Sequence, residues 1–88
     1  MSLWEKACTL LPGGVNSPVR AFGSVGGNPV FMEKAKGPYL YDSEGNELVD
    51  LVLSFGPMIL GHSQKDVFAS VKKQLVYGRS FGCCGSIE

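Results

Sequence analysis

Val30-Phe31-Met32-Glu33-Lys34-Ala35-Lys36-Gly37-Pro38-Tyr39-Leu40-Tyr41-Asp42-Ser43-Glu44-Gly45-Asn46-Glu47-Leu48-Val49-Asp50-Leu51-Val52-Leu53 is the stretch that decides the fold. Val30–Ala35, Tyr39–Tyr41 and Glu47–Leu53 read as three strands. Lys36-Gly37-Pro38 separates the first two, and Asp42-Ser43-Glu44-Gly45-Asn46 closes a hairpin between the second and third. In that second turn the aspartate accepts local backbone hydrogen bonds and the glycine supplies a positive φ. Short separators of this kind give antiparallel neighbours. In the third strand Val49, Leu51 and Leu53 share one face, and Leu48, Asp50 and Val52 the other. Both faces are largely apolar, which predicts a strand covered on both sides.

Upstream, Ser2-Leu3-Trp4-Glu5 has the form of a capping box. Leu3, Trp4, Ala7, Cys8 and Leu11 follow helical spacing until Pro12-Gly13-Gly14 stops them, predicting a short helix over residues 3–11. A helix of that length does not persist alone and must dock on something. Residues 12–29 have no period and form a long connection, with Val15, Val19, Phe22 and Val25 as apolar anchors. Its glycines do not match the dinucleotide or phosphate-loop spacings.

Downstream, Phe55-Gly56-Pro57-Met58-Ile59-Leu60-Gly61-His62 is apolar but broken by Gly and Pro, so a central strand there is disfavoured. Ser63 then reads as a helix cap with Asp66 at the matching position. Val67 or Phe68, Val71 and Leu75 form the expected buried stripe, and Gly78 the stop. The predicted class is α+β. It comprises a helix plus loop over 1–29, a small three-stranded antiparallel sheet within 30–62, a second helix over 63–78 and an irregular tail over 79–88.

Eighty-eight residues make at most one small domain. A chain of that size buries only about 60% of its unfolded surface, so its own core is marginal. Yet 44% of its residues are hydrophobic and the mean hydropathy is +0.10. The surplus fits either a compact small domain with an exposed apolar patch or a piece of a larger protein whose apolar faces meet other parts of it, and the second is favoured. Eight basic and eight acidic residues cancel without clustering, unlike a nucleic-acid binder or a polybasic membrane anchor. No apolar run approaches the ~20 residues that span a bilayer. Without a signal or transit pattern at its N-terminus, the chain reads as cytoplasmic or as a mature plastid protein. Three cysteines, two of them adjacent, and one histidine leave no zinc-ligand pattern.

Among individual residues Arg20 is the foremost candidate. It stands in Leu11-Pro12-Gly13-Gly14-Val15-Asn16-Ser17-Pro18-Val19-Arg20-Ala21-Phe22, where each proline fixes its own φ and restricts the residue before it. A guanidinium held in such a loop offers a planar fork to a carboxylate or phosphate. His62 reads as a structural or helix-entry histidine, and Trp4, Phe31, Tyr39 and Tyr41 as packing aromatics. No Ser/His/acid arrangement is visible, and these residues alone name no reaction.

The string Leu11 to Phe22 closely resembles the N-terminal signature of the glutamate-1-semialdehyde 2,1-aminomutase family. That family belongs to the class III aminotransferase group of pyridoxal-phosphate fold-type I enzymes. The likeness continues through Val25-Gly26-Gly27-Asn28-Pro29, Tyr41 to Asn46, Ser54 to His62 and Ser80-Phe81-Gly82. The first string and Gly56-Pro57-Met58-Ile59-Leu60-Gly61-His62 are specific, whereas the Asp42–Asn46 turn is shared by many class III relatives.

The resemblance implies a fold-type I transferase, α/β overall, of which this chain is the N-terminal portion. It implies conversion of glutamate 1-semialdehyde to 5-aminolevulinate for tetrapyrrole synthesis. The cofactor is pyridoxal 5'-phosphate, acting in its pyridoxamine 5'-phosphate form. It further implies that Arg20 holds the substrate carboxylate, that Ser17 stands alongside and that Phe55 lines the substrate pocket. The partners expected are that small-molecule substrate and a second copy in a homodimer, with no nucleic acid and no membrane. The family's Schiff-base lysine and cofactor-phosphate ligands lie beyond Glu88, so no catalytic, cofactor or metal residue is expected here and the chain alone should be inactive. Phe55 stands where the family usually has tryptophan, and Gln64-Lys65 where it has His-Pro. Arg79 replaces a small hydroxyl residue, and Cys83-Cys84-Gly85 replaces Ala-Pro-Thr. The rival readings are another class III aminotransferase and a truncated, non-catalytic paralogue serving as a binding or dimerisation module.

Overall fold

A computed structural model describes residues 1–86. The chain is α+β: helix α1 (Leu3–Leu10), strands β1 (Met32–Lys36), β2 (Tyr39–Asp42) and β3 (Glu47–Val49), and helix α2 (Lys65–Leu75). The strands form one antiparallel sheet in the order β1-β2-β3. The chain divides into two units, residues 1–34 with 41–48 and residues 35–40 with 49 onward.

In the first unit the capping box is formed: the Glu5 N–H donates to Ser2 Oγ at 3.1 Å, and the Ser2 N–H to Glu5 Oε2 at 2.6 Å. The helix ends one residue before the predicted limit because Leu11 turns extended ahead of Pro12. The predicted long connection contains two single turns of 3-10 helix, Pro12–Gly14 and Pro18–Ala21, each started by a proline. Gly14 is buried under Trp4 at φ 77, a conformation and a clearance that only glycine satisfies easily. The β2–β3 turn is organised by buried Asp42. Its Oδ1 accepts the N–H groups of Glu44 and Asn46 at 2.9 and 2.8 Å, and its Oδ2 accepts Asn46 Nδ2 at 2.8 Å. Lys34 Nζ sits 4.9 Å from the centre of the Tyr41 ring.

In the second unit three expectations need correction. The third strand was expected to reach Leu53 but stops at Val49, because Asp50 turns its carboxylate onto the main chain ahead. Oδ1 accepts the N–H groups of Val52 and Leu53 at 2.9 and 3.0 Å, drawing the chain out of the ladder. Its apolar faces are not covered within this chain: Leu51 is 88% and Val52 59% exposed. Second, Ser63 is not the cap of the second helix. It is left-handed at φ 56 and its hydroxyl donates to the Ala35 carbonyl at 3.0 Å, so the cap passes to Gln64, whose Oε1 accepts the Val67 N–H at 2.8 Å. Third, α2 ends at Leu75 ahead of Gly78, and its stripe of Val67, Phe68, Val71 and Leu75 is exposed, not buried. Among the described residues no large apolar side chain is buried.

Candidate functional site

The loop that carries Arg20 is built entirely within the first unit. The Gly14 N–H donates to the Leu11 carbonyl at 2.9 Å, closing the first proline-led turn. Ser17 is extended, as the residue before a proline must be, and its carbonyl accepts the Arg20 N–H at 3.0 Å. Phe22 takes the left-handed conformation at φ 59 and ends the turn, its carbonyl accepting the N–H groups of Val25 and Gly26 at 3.1 and 2.8 Å. Arg20 therefore stands on a short, doubly constrained turn.

Beside that turn lies a hollow of about 550 Å³, a size that suits a small molecule. Leu11, Val15, Phe22, Phe31 and Met32 are among the apolar residues of its wall, and Asn16 and Arg20 supply its polar side chains. Arg20 is exposed and forms no ion pair among the described residues. Ser17 is half-buried, lies outside the lining and makes no side-chain cap to the turn it precedes. An apolar hollow with one cation at its edge can seat a small anion by its charged end. All six lysines are exposed and none lines the hollow, so the residues of this chain do not by themselves fit a covalently anchored cofactor.

Phe55 belongs to the second unit, on a turn at Leu53–Phe55, and the residue is 81% exposed. Leu53, Ser54 and Phe55 all have positive φ, at 54, 52 and 64°. Three successive non-glycine residues in the left-handed region are costly, roughly 1–2 kcal/mol each. The turn is held by the Phe55 N–H to the Val52 carbonyl at 3.1 Å and the Gly56 N–H to the Leu53 carbonyl at 2.9 Å.

Sequence reading missed the polar cluster below this turn. Asp50 Oδ2 meets His62 Nε2 at 2.5 Å, and His62 exchanges both backbone hydrogen bonds with Gly37 at 2.8 and 2.9 Å. The alternation of Leu48, Asp50 and Val52 made Asp50 look like one polar residue on a strand face. An acid set among apolar residues, with the chain's one histidine twelve positions on, was the available signal. The His62 contact, followed by the Leu53 and Val52 N–H groups, lowers the Asp50 carboxyl from its ordinary 3.8. The Asn46 amide does the same for Asp42. Both groups stabilise the fold fully above 3.8, and that contribution disappears as pH falls through their lower folded values. A carboxyl carbon titration followed by NMR is expected to give midpoints below 3.8 for both, and a midpoint at or above it would contradict these contacts.

A second hollow, of about 530 Å³, follows α2 and is edged by Arg79, Phe81 and Cys83. Residues 79–86 contain no helix or strand, and the last two positions of the expected tail lie outside the described residues.

The model of the class-III aminotransferase family matches residues 22–83. A glutamate-1-semialdehyde 2,1-aminomutase of Acetivibrio thermocellus is 57% identical over 86 residues, 98% of this chain and 20% of its own. A solved transaminase with PLP bound superposes with a TM-score of 0.77 at 26% identity, over 97% of this chain and 19% of that one. A glutamate-1-semialdehyde aminomutase from Pseudomonas aeruginosa PAO1 superposes equally well, at 0.77 over 94% of this chain and 18% of that one. At 20% identity it speaks for the fold alone. The chain thus spans about a fifth of the length of the curated relative it matches. Since the family model covers most of its residues, from the Phe22 turn to Cys83, the chain belongs to the class-III aminotransferase family.

Proposed function

We propose that this chain is the portion of a glutamate-1-semialdehyde 2,1-aminomutase that receives the substrate carboxylate, with Arg20 as its partner. The observation that carries this reading is the 57% identity to the Acetivibrio thermocellus aminomutase across nearly the whole chain. Arg20, unpaired among the described acids at the edge of an apolar hollow, supports it. Its planar fork can bind a carboxylate through two parallel N–H bonds, which fixes orientation as well as affinity. Ser17, at the entry to the same turn, offers a hydroxyl alongside. Phe55 supplies an aromatic wall for the substrate, where the family usually has an indole.

Pyridoxal 5'-phosphate, bound by residues outside this chain, supplies the amino-group chemistry in its pyridoxamine form. The reaction is an internal exchange of an amino group, giving 5-aminolevulinate without a second substrate. A homodimer working in the cytoplasm completes the proposal. The likeness to a PLP-bound transaminase favours one second reading, transamination between two substrates. Full-length holoenzyme given glutamate 1-semialdehyde and no amino donor is expected to form 5-aminolevulinate. Turnover that requires an added amino donor would support transamination instead.

A further inference from the structure

We propose that Asp50 and His62 are positioning residues: together they hold the left-handed turn Leu53-Ser54-Phe55 and so aim the aromatic wall at Phe55. The inference rests on the role given to Phe55 above.

Phe55 is 81% exposed, so side-chain packing within this chain does not place it. Its direction is set by the backbone on which it stands. That backbone runs through three successive left-handed non-glycine residues, an arrangement that persists only where the surroundings over-determine it. Asp50 provides the determination. Its N–H donates to the Pro38 carbonyl at 2.8 Å, which anchors the residue to the β1–β2 turn just before β2. Its Oδ1 receives the N–H groups of Val52, the residue before the turn, and of Leu53, the first residue in it. Its Oδ2 meets His62, at the far end of the same apolar loop. His62 is in turn fixed by its paired backbone bonds to Gly37, and Ser63 by its hydroxyl bond to Ala35. One carboxylate thereby ties both ends of the loop from residue 53 to residue 61 to the β1–β2 turn.

The test uses the full-length holoenzyme. Asp50→Ala is expected to raise KM for glutamate 1-semialdehyde about tenfold, the scale of one misplaced apolar contact, with kcat within about threefold of wild type. Asp50→Asn, which keeps an acceptor oxygen for the two N–H groups, stays within about threefold of wild type in KM. Adding Ser54→Gly to Asp50→Ala restores KM to within about threefold, because glycine takes a positive φ without a Cβ penalty. A merely structural loss would not be rescued by glycine at 54. Independently of activity, the strong intraresidue HN–Hα contacts in NMR that mark positive φ at Leu53 and Ser54 should vanish in Asp50→Ala. Persistence of those contacts, an unchanged KM in Asp50→Ala, or failure of the glycine rescue overturns the proposal. Phe55→Ala separates it from its foundation. An unchanged KM there removes the wall and the proposed role of Phe55, and the NMR contacts alone then decide whether Asp50 holds the turn.

Discussion

Arg20→Leu in the full-length protein is expected to lower kcat/KM for glutamate 1-semialdehyde about 100-fold. Each hydrogen bond to a charged partner contributes about 1.5–3 kcal/mol, and the bidentate contact makes two that are not independent. About 2.7 kcal/mol in total corresponds to the 100-fold loss. Leucine keeps an apolar stem beside Val15 and Phe22, so the hollow retains its wall and the loop its turn. The loss should appear first in KM, with a smaller fall in kcat from a substrate held less squarely. Cofactor binding, read from the visible absorbance of the holoenzyme, should not change, because no residue lining this hollow can anchor it covalently. Arg20→Lys should lose about tenfold, since a point charge replaces the fork. A wild-type rate at low substrate in Arg20→Leu would remove Arg20 from the substrate site.

Gly14→Ala is expected to undock α1 from the loop it packs on. A Cβ at this position would lie 2.5 Å from Trp4 Cζ3, 2.7 Å from Trp4 Cη2 and 3.0 Å from Cys8 Sγ. The glycine's φ of 77 adds the left-handed penalty to the overlap. Overpacking of this kind costs about 1–3 kcal/mol, and the backbone term of about 1–2 kcal/mol raises the total to about 2–5 kcal/mol. Hydrogen-exchange protection of the α1 amides should fall about 30- to 5000-fold, the same energy read as an opening equilibrium. Trp4, the only tryptophan, should shift its emission to the red as its ring meets water. Unaltered protection in α1 would mean that the helix does not depend on its seat over Gly14.

How much of this was legible in the residues depends on what each signal consists of. The Ser2–Glu5 box, the Pro12 stop and the Asp42–Asn46 turn are local, and each was readable because side chain and backbone partners lie within four positions. The end of β3 was not readable. Alternating Val and Leu argue for a longer strand, and only the Asp50 carboxylate, reaching forward to Val52 and back across the loop to His62, overrides them. The cap of α2 moved from Ser63 to Gln64 for a similar reason, since a hydroxyl engaged with Ala35 is lost to the helix. Arg20 could be singled out from its apolar and proline-rich neighbours, but the hollow beside it depends on Phe31 and Met32 arriving from β1 and the residue before it. The left-handed turn at Leu53–Phe55 carries no composition signal, because glycine, the usual mark of positive φ, is absent from those three positions.

The exposed apolar side chains of α2 and of the segment after β3 have a calorimetric consequence. The heat capacity gained on unfolding comes from apolar area newly wetted, about 0.45 cal/mol/K for each Å². Val67, Phe68, Val71 and Leu75 are already about half wet in this fold, and Leu51 and Ile59 mostly so. Melting them would wet less new area than melting a buried core. The chain by itself is therefore expected to show a shallower stability curve and a broader thermal transition than a domain with a buried core. The steep, domed curve of an ordinary domain arises for these residues only once other protein surface seals them.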